Sequence, residues 1–233
     1  MKSLFKLKIP FVLLFTFIVT TTTQAQSRNI HFFGSYNRSF GNIIASVGSS
    51  IGDPVSIEAN KLRKGSVNQF ELGGFINSWG LGIIHNTYTV DATTNFGNYY
   101  TGDILLENAS INEKLRLKFT GLEILYRKPI FNSRLDVLCK CAVGMQTYAI
   151  DKGMQYPNSK YPDLYIYQKR VGSIVASLIG AGLDYHINRT ISIGIETSIL
   201  PCTYKKLKDN GNEYSADENV SRISTGVKLT LTL

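Results

Sequence analysis

The stretch that decides the fold is Val220–Leu233, VSRISTGVKLTLTL. Ile223, Thr225, Val227, Leu229, Leu231 and Leu233 fall on one face, and Arg222, Ser224, Gly226, Lys228, Thr230 and Thr232 on the other. A period of two marks a β-strand with one apolar and one polar side. No polar residue follows Leu233, and a free edge carrying such an apolar row invites aggregation. The expectation is a strand that closes onto another, with its apolar row turned to lipid.

The same alternation recurs upstream. In 134–150, Leu135, Val137, Cys139, Cys141, Val143 and Met145 oppose Arg134, Asp136, Lys140, Gly144 and Gln146. In 190–200, Ile191, Ile193, Ile195 and Ile199 oppose Ser192, Gly194, Glu196 and Ser198. Similar segments at 29–40, 67–76, 80–90, 111–128 and 170–187 bring the expected strand count to eight. The segment 111–128 changes phase near Thr120–Gly121, which predicts a β-bulge there.

Connection lengths sharpen the picture. Short links (77–79, 129–133, 188–189) alternate with long ones (41–66, 91–110, 151–169, 201–219). In an antiparallel meander this gathers all four long loops at one end, the asymmetry of transmembrane barrels. Aromatic residues near strand ends (Trp79, Tyr126, Phe131, Tyr185, Tyr204) suit interfacial girdles.

At the other end, MKSLFKLK, the apolar IPFVLLFTFIV and TTTTQAQ read as basic, hydrophobic and cleavage regions of a signal peptide. The expected division is a signal peptide over 1–25 and a barrel domain over 26–233. Removing Lys2, Lys6 and Lys8 takes the formal charge from +8 to +5. Three cysteines, Cys139, Cys141 and Cys202, give no disulfide framework, and no metal-ligand spacing accompanies them. Neither a cofactor nor a metal is expected.

If the polar face lines the interior, it gathers Glu71, Arg116, Lys118, Glu123, Asp136, Lys140, Asp184, Glu196, Arg222 and Lys228. Eight strands enclose only enough room for side chains, so these charges are expected to pair across the lumen. Catalytic groupings are sparse: His85 with Thr87, His186 beside Asp184, and an isolated His31. No nucleophile, base and acid converge, so no enzyme is expected. The loop segment MQYPNSKYPDLYIY places Tyr156, Tyr161, Tyr165 and Tyr167 together as candidate contacts for a protein or glycan. The basic balance suits anionic lipid or lipopolysaccharide, with nucleic acid excluded and a monomer expected.

The signal peptide, the eight amphipathic strands and the apolar last strand resemble the small outer-membrane β-barrels of the OmpA/OmpX-like class. The hairpin LDYHINRTISIGIETSI (183–199) is similar to those of Bacteroidetes-type outer-membrane β-barrel families. Such barrels commonly end in Phe, and this chain has Leu233. The resemblance implies an all-β, eight-stranded, antiparallel up-and-down transmembrane barrel in the outer membrane. The narrow, charge-filled lumen and the want of a converging catalytic grouping lead to the further expectation of a non-enzymatic envelope scaffold or surface-binding protein acting through its long loops. The alternatives are a narrow gated or porin-like channel, or a soluble periplasmic lipocalin-like carrier with its faces reversed.

Overall fold

The computed structural model describes residues 30–44, 61–101, 104–130, 134–155 and 166–233. The expected signal peptide lies outside them, as does Phe131. Among the described residues ten strands form: β1 (Ile30–Ile43), β2 (Lys64–Ile76), β3 (Trp79–Thr101), β4 (Ile104–Ile130), β5 (Leu135–Gln155), β6 (Ile166–His186), β7 (Ile191–Leu200), β8 (Thr203–Asp209), β9 (Asn212–Asn219) and β10 (Arg222–Thr232). Eight of them close a ring. Consecutive strands from β1 to β7 pair antiparallel, β7 pairs with β10, and β10 returns to β1. Phe32 and Leu233 exchange backbone hydrogen bonds across the seam, so the last apolar row has no open edge.

The short turns follow from local chemistry. Asn77 adopts a left-handed φ of 56° between β2 and β3, a conformation asparagine tolerates better than most residues. Between β6 and β7, the Asn188 side chain accepts hydrogen bonds from the amides of Thr190 and Ile191, at 2.8 and 2.7 Å.

Register fixes the shape. From Ile191 the ladders run through Leu231, Gly34, Leu72, Ile83, Leu122 and Val143 to Ser177. Ile179 pairs with Ile199, so Ser177 stands level with position 201, and one circuit advances from 191 to 201, ten residues. A stagger of this size tilts the strands by roughly 40°.

The faces are those of a membrane protein. Phe70, Leu72, Trp79, Leu81, Ile83, Leu122, Ile124, Val143, Ile179, Ile195 and Val227 point outward and are exposed, while Glu71, Glu123, Lys140, Glu196, Arg222 and Lys228 are buried inside. On β5 the outward run is unbroken from Leu135 to Met145. At about 3.4 Å per residue and this tilt it makes a belt about 25 Å tall, the height of a bilayer core. This is the reverse of a soluble ligand-carrying barrel, whose apolar face lines the inside. Trp79 stacks on Tyr126 with ring centroids 5.0 Å apart, and Tyr185 is exposed at the same end.

Three expectations are corrected. Thr120–Gly121 carries no bulge; β4 pairs in unbroken register with β3 and β5 there, and the irregularities lie at Asn95/Gly97 and Gly97/Tyr99. The change of phase has a different cause: the inward face of β4 turns from Glu123 to Phe119, Leu117 and Leu115, because the lumen itself changes from polar to apolar. Tyr204 belongs to no girdle, since it is buried inside against Tyr148, centroids 5.4 Å apart. Finally, the fourth long connection is itself folded. β8 and β9 form a hairpin about Asn210 (φ 47°) and Gly211 (φ 95°), and β8 pairs with the far end of β6 at Arg170↔Asp209 and Val171↔Lys208.

Candidate functional site

The lumen is filled in three layers. Nearest the short turns sit Phe33, Phe75, Leu125 and Leu138, with the Arg127 guanidinium 4.4 Å from the Phe75 ring centre. Arg127 Nε also lies 3.5 Å from Asp136, whose other partner is His186 Nε2 at 2.7 Å. His186 therefore pairs across the sheet with Asp136 and not with Asp184 two positions away. A cavity of about 20 Å³ adjoins this layer, room for a single water.

Mid-barrel lies a knot of charges. Lys140 Nζ bonds both Glu71 and Glu196. Lys228 Nζ stands 2.9 Å from Asp184 and 3.6 Å from Glu196. Ser35 Oγ donates to Glu71 at 2.7 Å, and Gln69 Nε2 donates to Glu71 and Glu196 at 2.8 Å each. The chain continues from Asn86 to Gln69 (3.0 Å) and from Arg222 Nη2 to Asn86 (2.7 Å). The residues of this knot come from seven of the eight ring strands, so no short segment of sequence contains it. Glu123 faces the same knot, and neither of its oxygens has a hydrogen-bond partner among the described residues.

Above the knot the lumen is apolar. Ile84, Tyr88, Leu115, Leu117, Phe119, Leu178, Leu200 and Val220 pack with Tyr204 and Leu207 of the hairpin into one cluster. Tyr88 caps it by donating its hydroxyl to the Leu62 carbonyl at 2.8 Å. Arg222 sits at the junction, its guanidinium 5.9 Å from the Tyr88 ring.

Of the ten residues expected in the lumen, Glu71, Glu123, Asp136, Lys140, Asp184, Glu196, Arg222 and Lys228 are there and buried. Arg116 and Lys118 are not. They are exposed on the outer wall, because the inward positions of β4 at this height are Leu115, Leu117 and Phe119. Tyr156, Tyr161 and Tyr165 lie outside the described residues, and Tyr167 is fixed only as a backbone position of β6 opposite Gly153. His85 also points outward. Its Nδ1 lies 2.8 Å from Thr120 Oγ1 and its Nε2 lies 3.2 Å from Thr87 Oγ1. Cys139, Cys141 and Cys202 are free thiols, the first two facing outward. No group of three His, Cys, Asp or Glu among the described residues could hold a metal. The sequence reading missed the buried polar neighbours Gln69, Asn86, Asn37 and Ser35; Gln69 sits in phase with Glu71 on β2, whereas β1 and β3, which carry the other three, hold no expected lumen charge to set their phase.

Comparison with solved structures adds the fold's relatives. A major outer membrane protein from Thermus thermophilus superposes with a TM-score of 0.54 at 11% identity, covering 87% of this chain and 99% of that one. The fold is that of the small outer-membrane β-barrels. The outer membrane protease OmpT from Escherichia coli (TM-score 0.45, 10% identity, 88% and 97% covered) is also similar. So is the outer membrane protein AlkL, determined in lipid bilayers (0.45, 12%, 88% and 91%). No family model and no curated protein matches the sequence. In this outer-membrane-type barrel, the apolar belt meets hydrocarbon and the lumen is filled by a mid-barrel charge knot between two apolar layers.

Proposed function

We propose that this protein is an outer-membrane barrel acting as a non-enzymatic envelope scaffold, with whatever binding it does made at its long-loop end. The closed lumen carries this reading. Among the described residues a knot of charges and, above it, an apolar plug fill the lumen, which supports an interior that holds the wall together and does not conduct. Against catalysis stands the histidine chemistry: His85 lies between two threonines without a carboxylate, and His186 is engaged by Asp136. Loops and hairpins held by a rigid scaffold are where such proteins bind partners.

Planar-bilayer recording of the purified, folded protein tests this. A silent barrel is expected. Steady openings altered by Glu196→Gln or Arg222→Ala would overturn the scaffold reading in favour of a narrow gated channel.

A further inference from the structure

The outer wall carries a polar surface that the scaffold reading leaves unused. Arg38, Asn68, Thr87, Lys118 and Thr147 are register neighbours on five successive strands, all outward and all polar. One row nearer the short turns lie His85 and Thr120, already hydrogen-bonded to each other. One row the other way lie Ser66, Thr89 and Arg116. No acid occurs in these rows. The nearest outward carboxylate on β3, Asp91, is taken by Lys114 at 2.9 Å. Arg38, Arg116 and Lys118 form no ion pair among the described residues.

Height matters more than charge alone. Because the register climbs around the barrel, Arg38, His85 and Thr120 stand about level with Val143, Ile179 and Ile199 on the far side. Those three residues face hydrocarbon. The apolar belt thus ends lower on β2–β4, and Arg38, between the outward Tyr36 and Phe40 of β1, stands where the opposite wall meets lipid tails. An unpartnered cation beside hydrocarbon is costly and is relieved by an anion drawn to it. Beside this row, Arg116, Lys118, Thr147 and Ser173 line a cleft of about 620 Å³ whose other side is Lys206, Lys208 and Glu213 of the hairpin. Lys206 is spent on Glu213, at 3.0 Å. Two unspent cations and several hydroxyls at the rim of an apolar belt suit a ligand with phosphate above and acyl chains below.

We propose that Arg116 and Lys118, flanked by Arg38 and Lys208, bind the phosphorylated headgroup of an anionic lipid in the leaflet on the long-loop side. The proposal rests on the belt being embedded in a bilayer. Native mass spectrometry of the folded, delipidated protein tests it, with lipid A, phosphatidylglycerol or phosphatidylcholine added in turn. Lipid A and phosphatidylglycerol are expected to remain bound where phosphatidylcholine does not. Inorganic phosphate at equal concentration should displace neither. Arg116→Gln or Lys118→Gln should weaken retention roughly fivefold and the pair about twenty-five-fold, while Lys205→Gln on the exposed hairpin leaves it unchanged. Equal retention of phosphatidylcholine, displacement by inorganic phosphate, or an unaffected double variant would each overturn the site. Each variant's heat-modified gel band reports whether the barrel is folded. A wild-type protein that fails to insert into phosphatidylcholine vesicles sinks the bilayer reading instead, a result distinct from a folded barrel without lipid preference.

Discussion

Lys140 is the residue on which the interior most depends. Its ammonium separates two buried carboxylates, Glu71 and Glu196, that would otherwise face each other without water. Lys140→Met should destabilise the barrel by about 3–5 kcal/mol, read from urea unfolding in lipid vesicles, because it strands buried charge. Adding Glu71→Gln to that variant should recover part of the loss, and strict additivity of the two changes would show that the pair does not act as drawn. Arg222 behaves differently. It has no carboxylate partner among the described residues and leans on Asn86 and an aromatic ring, so Arg222→Met is expected to cost less than Lys140→Met in the same measurement.

Among elements, the outward rows and the β8–β9 hairpin make opposite demands. Ile195→Arg places a charge at mid-belt on β7 and should cost about 2–4 kcal/mol in refolding titrations. Thr203→Arg, beyond the belt on β8, should change stability far less; equal costs would mean that the belt ends elsewhere. The hairpin depends on close approach to β6. A Cβ at Gly172 would meet Leu207 and, at 3.1 Å, Tyr204. Gly172→Val should therefore lift the hairpin off the plug, seen as faster proteolysis within 203–219 while the heat-modified band of the barrel persists. The amphipathic strands themselves were legible from alternation alone. The hairpin was not, because YKKLKDNGNEYSADE reads as a polar loop and only its seating over Gly172 and β6 gives its few apolar residues something to bury against.

At the scale of the whole molecule, closure replaces a conventional core. Every ring strand has two neighbours, so backbone polar groups are satisfied without water, which a bilayer requires. The expected behaviour is an intact barrel band in unboiled samples and a slower, unfolded band after boiling; a single band in both would contradict a stable closed barrel. The sequence by itself determined the number of ring strands, the alternation of short and long links, the two faces of each strand and, once the structure turns the polar face inward, eight of the ten lumen charges. These depend on periodicity and connection length, which are local properties of the chain. Tertiary structure alone decided the rest. It turned Arg116 and Lys118 outward, because at their height the lumen is occupied by an apolar plug in which Leu115, Leu117 and Phe119 of the same strand pack against residues of other strands. It joined His186 to Asp136, its diagonal neighbour on β5, rather than to Asp184 two positions away, a meeting that only the register between β5 and β6 sets. And it set the ten-residue stagger that decides which residues of different strands stand level around the wall, a property of the closed ring that no single strand carries.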